Sequence, residues 1–261
     1  MYKYGLKLWS TNENYLAEAS RLLRTGVCDY IELYVIPESF RDNIGHWRSL
    51  KAEYVIHAPH FMDGVNLAKP ECQERNRELG KEAFDFADAL AAETVIFHPG
   101  IGGTEAETVR QLKMLADPRI VVENKPYLIP GDLVCNGYST EQLEFIMNEA
   151  GVGLCLDIGH ACCAANALKR DKIDYLKQFI ALNPRLYHLT DGNWDSPYDE
   201  HYHLGQGNYS IAAIMRLLSN NSRITIETEK DLSDSLKDYE ADIARLKAID
   251  TASREGVLTL S

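Results

Sequence analysis

The chain has 261 residues, 45% of them hydrophobic, a length that fits one large α/β domain or two small ones and is enough to bury a sizeable core. Its formal net charge of −12 argues against a broad electrostatic grip on nucleic acid unless bound metal supplies positive charge. No apolar run approaches a membrane span, and MYKYGLKLWS lacks the build of a secretion signal, so a cytoplasmic protein with no membrane partner is expected. The elements then follow in chain order. A β-rich run, YGLKLW, precedes the helix-like NYLAEASRLLRTG, and the strands YIELYV and EYVIHAP precede the helical NRELGKEAFDFADALAA. ETVIFHPG leads into TVRQLKMLA, and RIVVENK into TEQLEFIMNEAG. GLCLDIG is followed by IDYLKQFIAL, RLYHLTD by IAAIMRLLSN, and RITIETE by SLKDYEADIARLKAI, whose apolar residues fall three and four apart.

Eight strands alternating with helices predict a parallel sheet closed into a (β/α)8 TIM barrel. No linker or low-complexity block interrupts the alternation, so residues 1–261 are expected to form a single domain. An open doubly wound sheet is the competing architecture, but WSTNENY, after the first strand, carries no GxGxxG. The six cysteines include no CxxC pair and read as free thiols.

A barrel of this kind builds its active site from the C-terminal strand ends and the loops that follow. In this chain those positions are polar. His57 ends the third strand, His98 the fourth, Glu123 the fifth and Asp157 the sixth, with His160 three residues further on. His188 and Asp191 end the seventh strand and Glu227 the eighth. The loop DEHYHLGQGN adds Asp199 and His201, two residues apart and therefore on one side of an extended segment. One such histidine reads as structural, whereas their convergence points to metal: imidazole and carboxylate suit zinc, manganese or iron, not a thiolate zinc site. Asp191 apart, these nine candidates exceed the four to six ligands of one ion, so two or three ions sharing a bridging carboxylate would use them. Trp9, Trp194 and Tyr198 stand near the predicted mouth as stacking surfaces, and the LGQGN glycines permit close approach of a phosphate or sugar. Asp191, Asp195 and His203 read as outer partners of the ligands or of solvent.

The ordered set IHAPH, NLA, FHPG, VVENK, CLDIGHA, YHLTD, DEHYHLGQGN and IET resembles the xylose isomerase-like barrel superfamily, and within it the endonuclease IV branch of apurinic/apyrimidinic endonucleases. The resemblance runs from about residue 53 to residue 229. It implies a trinuclear zinc cluster: His57, His98 and Glu123 on one ion, Glu123 as bridge with Asp157, His188 and Glu227 on a second, and His160, Asp199 and His201 on a third. It also implies metal-dependent phosphodiester hydrolysis, with Glu123 and Glu227 in the catalytic roles of placing ions and water, and a phosphodiester substrate such as abasic DNA.

Departures from the branch concern the DNA platform. Where it carries residues that enter the duplex, this chain reads His57-Ala-Pro-His60-Phe61, and the segment Tyr34 to Arg41 replaces an arginine-bearing loop. The superfamily's other large activity, sugar isomerisation or epimerisation, implies a small sugar substrate. It would need only Glu123, Asp157, His188 and Glu227 around a single Mn2+, Co2+ or Mg2+, with the two glutamates shuttling a proton and His160 touching substrate. Those enzymes place an arginine after the seventh strand, and Leu189 to Gln206 contains none.

Overall fold

In the computed structural model, which describes residues 2–254, eight strands close into a parallel barrel. The first five are β1 (Lys3–Trp9), β2 (Tyr30–Tyr34), β3 (Glu53–His57), β4 (Val95–Phe97) and β5 (Ile120–Glu123). A two-stranded antiparallel hairpin, β6 (Leu128–Ile129) and β7 (Leu133–Val134), projects beyond β5. The barrel resumes with β8 (Gly153–Asp157), β9 (Leu186–Leu189) and β10 (Arg223–Ile226), and β10 pairs with β1 to complete it. Outside run the helices α1 (Leu16–Thr25), α2 (Phe40–Ser49), α3 (Gln73–Leu90), α4 (Glu105–Leu115), α5 (Thr140–Ala150), α6 (Ile158–Ala167), α7 (Lys172–Ala181), α8 (Ile211–Leu217) and α9 (Lys237–Arg254). None of the described helices is long and apolar enough to cross a membrane, and the six cysteines are free.

The expected barrel is therefore present, with differences that have local causes. Helix α2 is absent from the sequence reading because FRDNIGHWRS carries a mid-helix glycine and only Asn43 and Trp47 are buried, which leaves little apolar period to detect. Helix α6 is hidden for the opposite reason: Ile158 to Ala165 are buried all round, so no amphipathic face exists. The strand expected over ETVIFHPG shortens to Val95–Phe97, which leaves His98 in the turn imposed by Pro99 and Gly100.

Strand register fixes what faces inward. Side chains alternate along each strand, so residues two apart share a face. Tyr30, Val55, Ile96, Val121, Cys155 and Leu186 pack together as one buried layer in the barrel interior. Gly5 makes room for the largest of them: a Cβ there would stand 2.3 Å from the Tyr30 ring. Two residues toward the C-terminal end from each of these positions lie Lys7, Glu32, His57, His98, Glu123, Asp157 and His188. Glu227 joins them two residues beyond Thr225, the β10 partner of His188. An apolar plug thus supports a polar layer.

Candidate metal centre

The polar layer forms the floor of a cavity of about 1000 Å³ that opens at the C-terminal end of the strands. Glu123 is its hub. One carboxylate oxygen, Oε2, lies 3.1 Å from His57 Nε2, 3.3 Å from His98 Nε2 and 3.4 Å from His188 Nδ1. The other, Oε1, lies 3.1 Å from His160 Nδ1 and 3.2 Å from Lys125 Nζ. His188 Nδ1 is also 2.7 Å from Glu227 Oε1 and 3.9 Å from Asp157 Oδ2. At the rim, Asp199 Oδ2 approaches His160 Nε2 at 3.3 Å and His201 Nε2 at 2.5 Å. All nine residues singled out from the sequence are thus brought to one end of the barrel.

The rings are oriented by fixed partners. His57 Nδ1 donates to the Ala58 carbonyl at 2.9 Å, His160 Nδ1 to the Asn124 carbonyl at 2.9 Å, and His201 Nδ1 to the Glu227 carbonyl at 3.0 Å. Each therefore presents Nε2 to the cavity. His188 is reversed: its Nε2 donates to Glu32 Oε2 at 2.9 Å, so Nδ1 faces the carboxylates. Such outer contacts select the tautomer and direction of a metal-binding imidazole. Asp157 caps the N-terminus of α6 by accepting from the His160 amide at 2.7 Å, which places both side chains where the strand turns into the helix. Asn124 ties β5 to β8, accepting from Asp157 N at 2.6 Å and donating to its carbonyl at 2.8 Å. His201 sits in the left-handed region at φ 49°, an uncommon conformation for a non-glycine residue that is held here by the contacts of its ring.

Electrostatics fit a site that expects cations. Burial pushes the Asp157 carboxyl up to about 6, and the neighbouring carboxylates of Asp199, Glu227 and Glu123 add to the rise. Burial disfavours a charged His201, but the Asp199 carboxylate outweighs it and raises the ring to about 9. Burial, together with the Lys125 ammonium, holds His98 well below the usual imidazole range. His98 has neither ring nitrogen hydrogen-bonded, and His188 Nδ1 is likewise buried without a hydrogen bond. Buried polar atoms are normally paired. Imidazole nitrogens that face carboxylate oxygens outside hydrogen-bond geometry form a donor set that divalent metal suits. The donor atoms of His57, His98 and Glu123 lie within 4.8 Å of one another, as do those of Glu123, Asp157 and His160 and those of Glu32, His188 and Glu227.

Three charged residues of the site escaped the sequence reading. Glu32 is fully buried and is held by His188, by the Thr225 hydroxyl at 2.7 Å and by Lys7 at 3.2 Å. Lys7 also pairs with Glu227, and Lys125 reaches Glu123 and His160. The available signal was parity: a charge in an apolar strand, two residues from an inward-facing position.

Other expectations resolve differently. Trp9 and Tyr198 line the cavity, but Trp194 packs its ring on Tyr209 beneath the Lys172 ammonium. The LGQGN glycines serve packing: a Cβ at Gly205 would collide with Arg245, and one at Gly207 with the Gly192 carbonyl. Asp191 organises that loop, accepting from the Gly192, Gly205 and Tyr209 amides. His203 pairs with Asp242 at 2.7 Å, and Asp195 lies 3.8 Å from Lys172 at the surface.

A closed parallel barrel with an imidazole and carboxylate centre at its C-terminal mouth defines the class of protein. The chain belongs to the xylose isomerase-like TIM barrel family, whose sequence profile matches residues 29–249. It is 28% identical over 163 residues to a protein of Nitratidesulfovibrio vulgaris named "Probable endonuclease 4", a match covering 52% of this chain and 56% of that relative's length. Among solved structures, a D-tagatose 3-epimerase-like protein superposes with a TM-score of 0.76 at 21% identity, covering 98% of this chain and 100% of that one. Endonuclease IV from Thermus thermophilus superposes with a TM-score of 0.70 at 21% identity, covering 95% and 99%. At that identity the two structures speak for the fold alone.

Proposed function

We propose that the protein is a metal-dependent phosphodiester hydrolase whose ions are held by His57, His98, Glu123, Asp157, His188 and Glu227, with His160, Asp199 and His201 completing the rim. One observation carries this reading. His57, His98 and His188 all converge on Glu123 Oε2 while Glu227 and Asp157 gather around His188, more donors than one four- to six-coordinate ion uses. Zinc, the ion that this donor set suits, would acidify a water and neutralise phosphoryl and leaving oxygens when bound. Glu123, Glu227 and His188 would hold the ions, with Glu32 orienting the His188 ring from behind. Lys7 and Lys125 add fixed positive charge at the floor, where an anionic group would enter. The acidic side chains Asp63, Glu200 and Glu229 line the same cavity and favour a small phosphodiester over an extended duplex. Abasic DNA is the nucleic-acid substrate suggested by a Caenorhabditis elegans relative named "Apurinic-apyrimidinic endonuclease".

A sugar isomerase or epimerase is the second reading. What favours it is that Glu123 and Glu227 face one coordination position from two sides, both meeting His188 Nδ1. Zinc-loaded protein should cleave bis(p-nitrophenyl) phosphate or an abasic duplex and lose the activity to chelator, and His98→Ala should remove most of it. Absence of any phosphodiester cleavage, with interconversion of ketoses that survives His98→Ala, would establish the second reading instead.

A further inference from the structure

We infer that Asp242, on the last helix, is a positioning residue that sets the ligand-bearing loops after β9 and β10 against each other, so that α9 takes part in the metal centre as well as closing the barrel. The inference rests on the centre proposed above and concerns what holds its rim. Asp242 is 3% exposed, and its carboxylate is held by three donors that all lie outside its own helix. Oδ2 accepts from the Thr228 hydroxyl at 2.7 Å and lies 2.7 Å from His203 Nδ1. Oδ1 accepts from the Leu204 amide at 2.9 Å. Thr228 is the residue after Glu227, and His203 and Leu204 follow His201 by two and three. One carboxylate therefore grips the continuation of both ligand segments.

Further geometry marks this as more than packing. The buried side of α9 otherwise carries Tyr239, Ile243 and Leu246. A carboxylate among them costs stability unless donors satisfy it, and an apolar residue would close the barrel without that cost. The two loops are joined a second time nearer the ions, where His201 Nδ1 donates to the Glu227 carbonyl at 3.0 Å. His201 itself stands at φ 49°, a conformation that a loop released at His203 would leave for a more favourable one. The far nitrogen of His203, Nε2, faces Asp231 Oδ2 at 3.4 Å, so the β10 loop meets this ring from the other side. A Cβ at Gly205 would collide with Arg245, which lies one turn along α9 from Asp242, so the loop rests directly on the helix. Through Thr228 and His203, Asp242 thus governs where Glu227 stands relative to Asp199 and His201.

Three single variants of the full chain test this. Asp242→Ala removes all three contacts, Thr228→Val removes only the tie beside Glu227, and Leu246→Ala removes apolar packing from the same side of α9 but no hydrogen bond. Zinc affinity, read in competition with a chromophoric chelator, should fall about tenfold or more in Asp242→Ala, by a smaller factor in Thr228→Val, and by less than about twofold in Leu246→Ala. The visible spectrum of the cobalt-loaded chain should change in the first two and match the wild type in the third. In the metal-free chain, Asp242→Ala should speed amide exchange over residues 199–205 and 227–231 beyond any change in the barrel strands. Wild-type affinity and spectrum in Asp242→Ala, or equal changes in Leu246→Ala, would overturn the inference. Should Asp242→Ala fail to fold, Thr228→Val decides, an altered cobalt spectrum supporting the assignment and an unaltered one refuting it. A wild-type chain that takes up no zinc would instead strike the metal centre, and amide exchange in the metal-free variants would then decide whether Asp242 orders the two loops.

Discussion

His188 depends on a buried carboxylate on the far side of its ring. Its Nε2–H is held by Glu32, itself fixed by Thr225 and Lys7, so that Nδ1 meets the carboxylates of Glu227 and Glu123. Replacing Glu32 by Gln keeps the volume and removes the charge, and zinc affinity should fall about ten- to hundredfold in competition with a chromophoric chelator. An unchanged affinity would show that His188 needs no such support. The rim makes a pH prediction. In the metal-free chain Asp199 raises the His201 pKa to about 9, so the ring is protonated at pH 7. A raised imidazole pKa stabilises the fold fully below the unfolded value of about 6.5, and that contribution is lost as pH climbs toward 9. Zinc must displace such protons, so uptake should tighten as pH rises and its calorimetric heat should depend on the buffer's ionisation enthalpy. Heats independent of buffer would contradict a protonated apo centre. At this scale the nine donors were legible because polar residues stood where apolar strands end. Glu32 and Lys7 were not, since one charge inside YIELY or KLW reads as solvent-facing until the inward parity of that strand is known.

The turn after β4 shows what an element contributes to the site. His98 is followed by Pro99 and by Gly100 at φ 123°, a region that L side chains rarely adopt. The Asn66 side chain clamps the turn, accepting from Ile101 N at 3.0 Å and donating to its carbonyl at 2.9 Å. A Cβ at residue 100 would stand 2.4 Å from Asn66 Oδ1. Gly100→Ala should therefore destabilise the chain by about 2 kcal/mol or more and shift His98. Urea titration gives the number, and a loss below about 0.5 kcal/mol with an unchanged m-value would mean that the clamp yields freely. The sequence announces a strand stop in HPG. That NLA packs against it is a long-range contact invisible to local pattern, and α2 and α6 escaped for related reasons, one for lack of an apolar period and the other for lack of a polar face.

For the molecule as a whole, one alternation does most of the organising. Closure of β10 on β1 sets every inward residue in register, so that an apolar layer around Tyr30 supports a polar layer around Glu123. The barrel was legible because strand and helix periods alternate through the chain without a break. Anomalous diffraction at the zinc edge, from crystals of the zinc-saturated protein, tests the centre most directly. The account predicts more than one peak in the barrel mouth, one of them among His57, His98 and Glu123 and one among Glu123, Asp157, His188 and Glu227. A mouth without peaks would contradict the metal centre, and a single peak would contradict its being multinuclear.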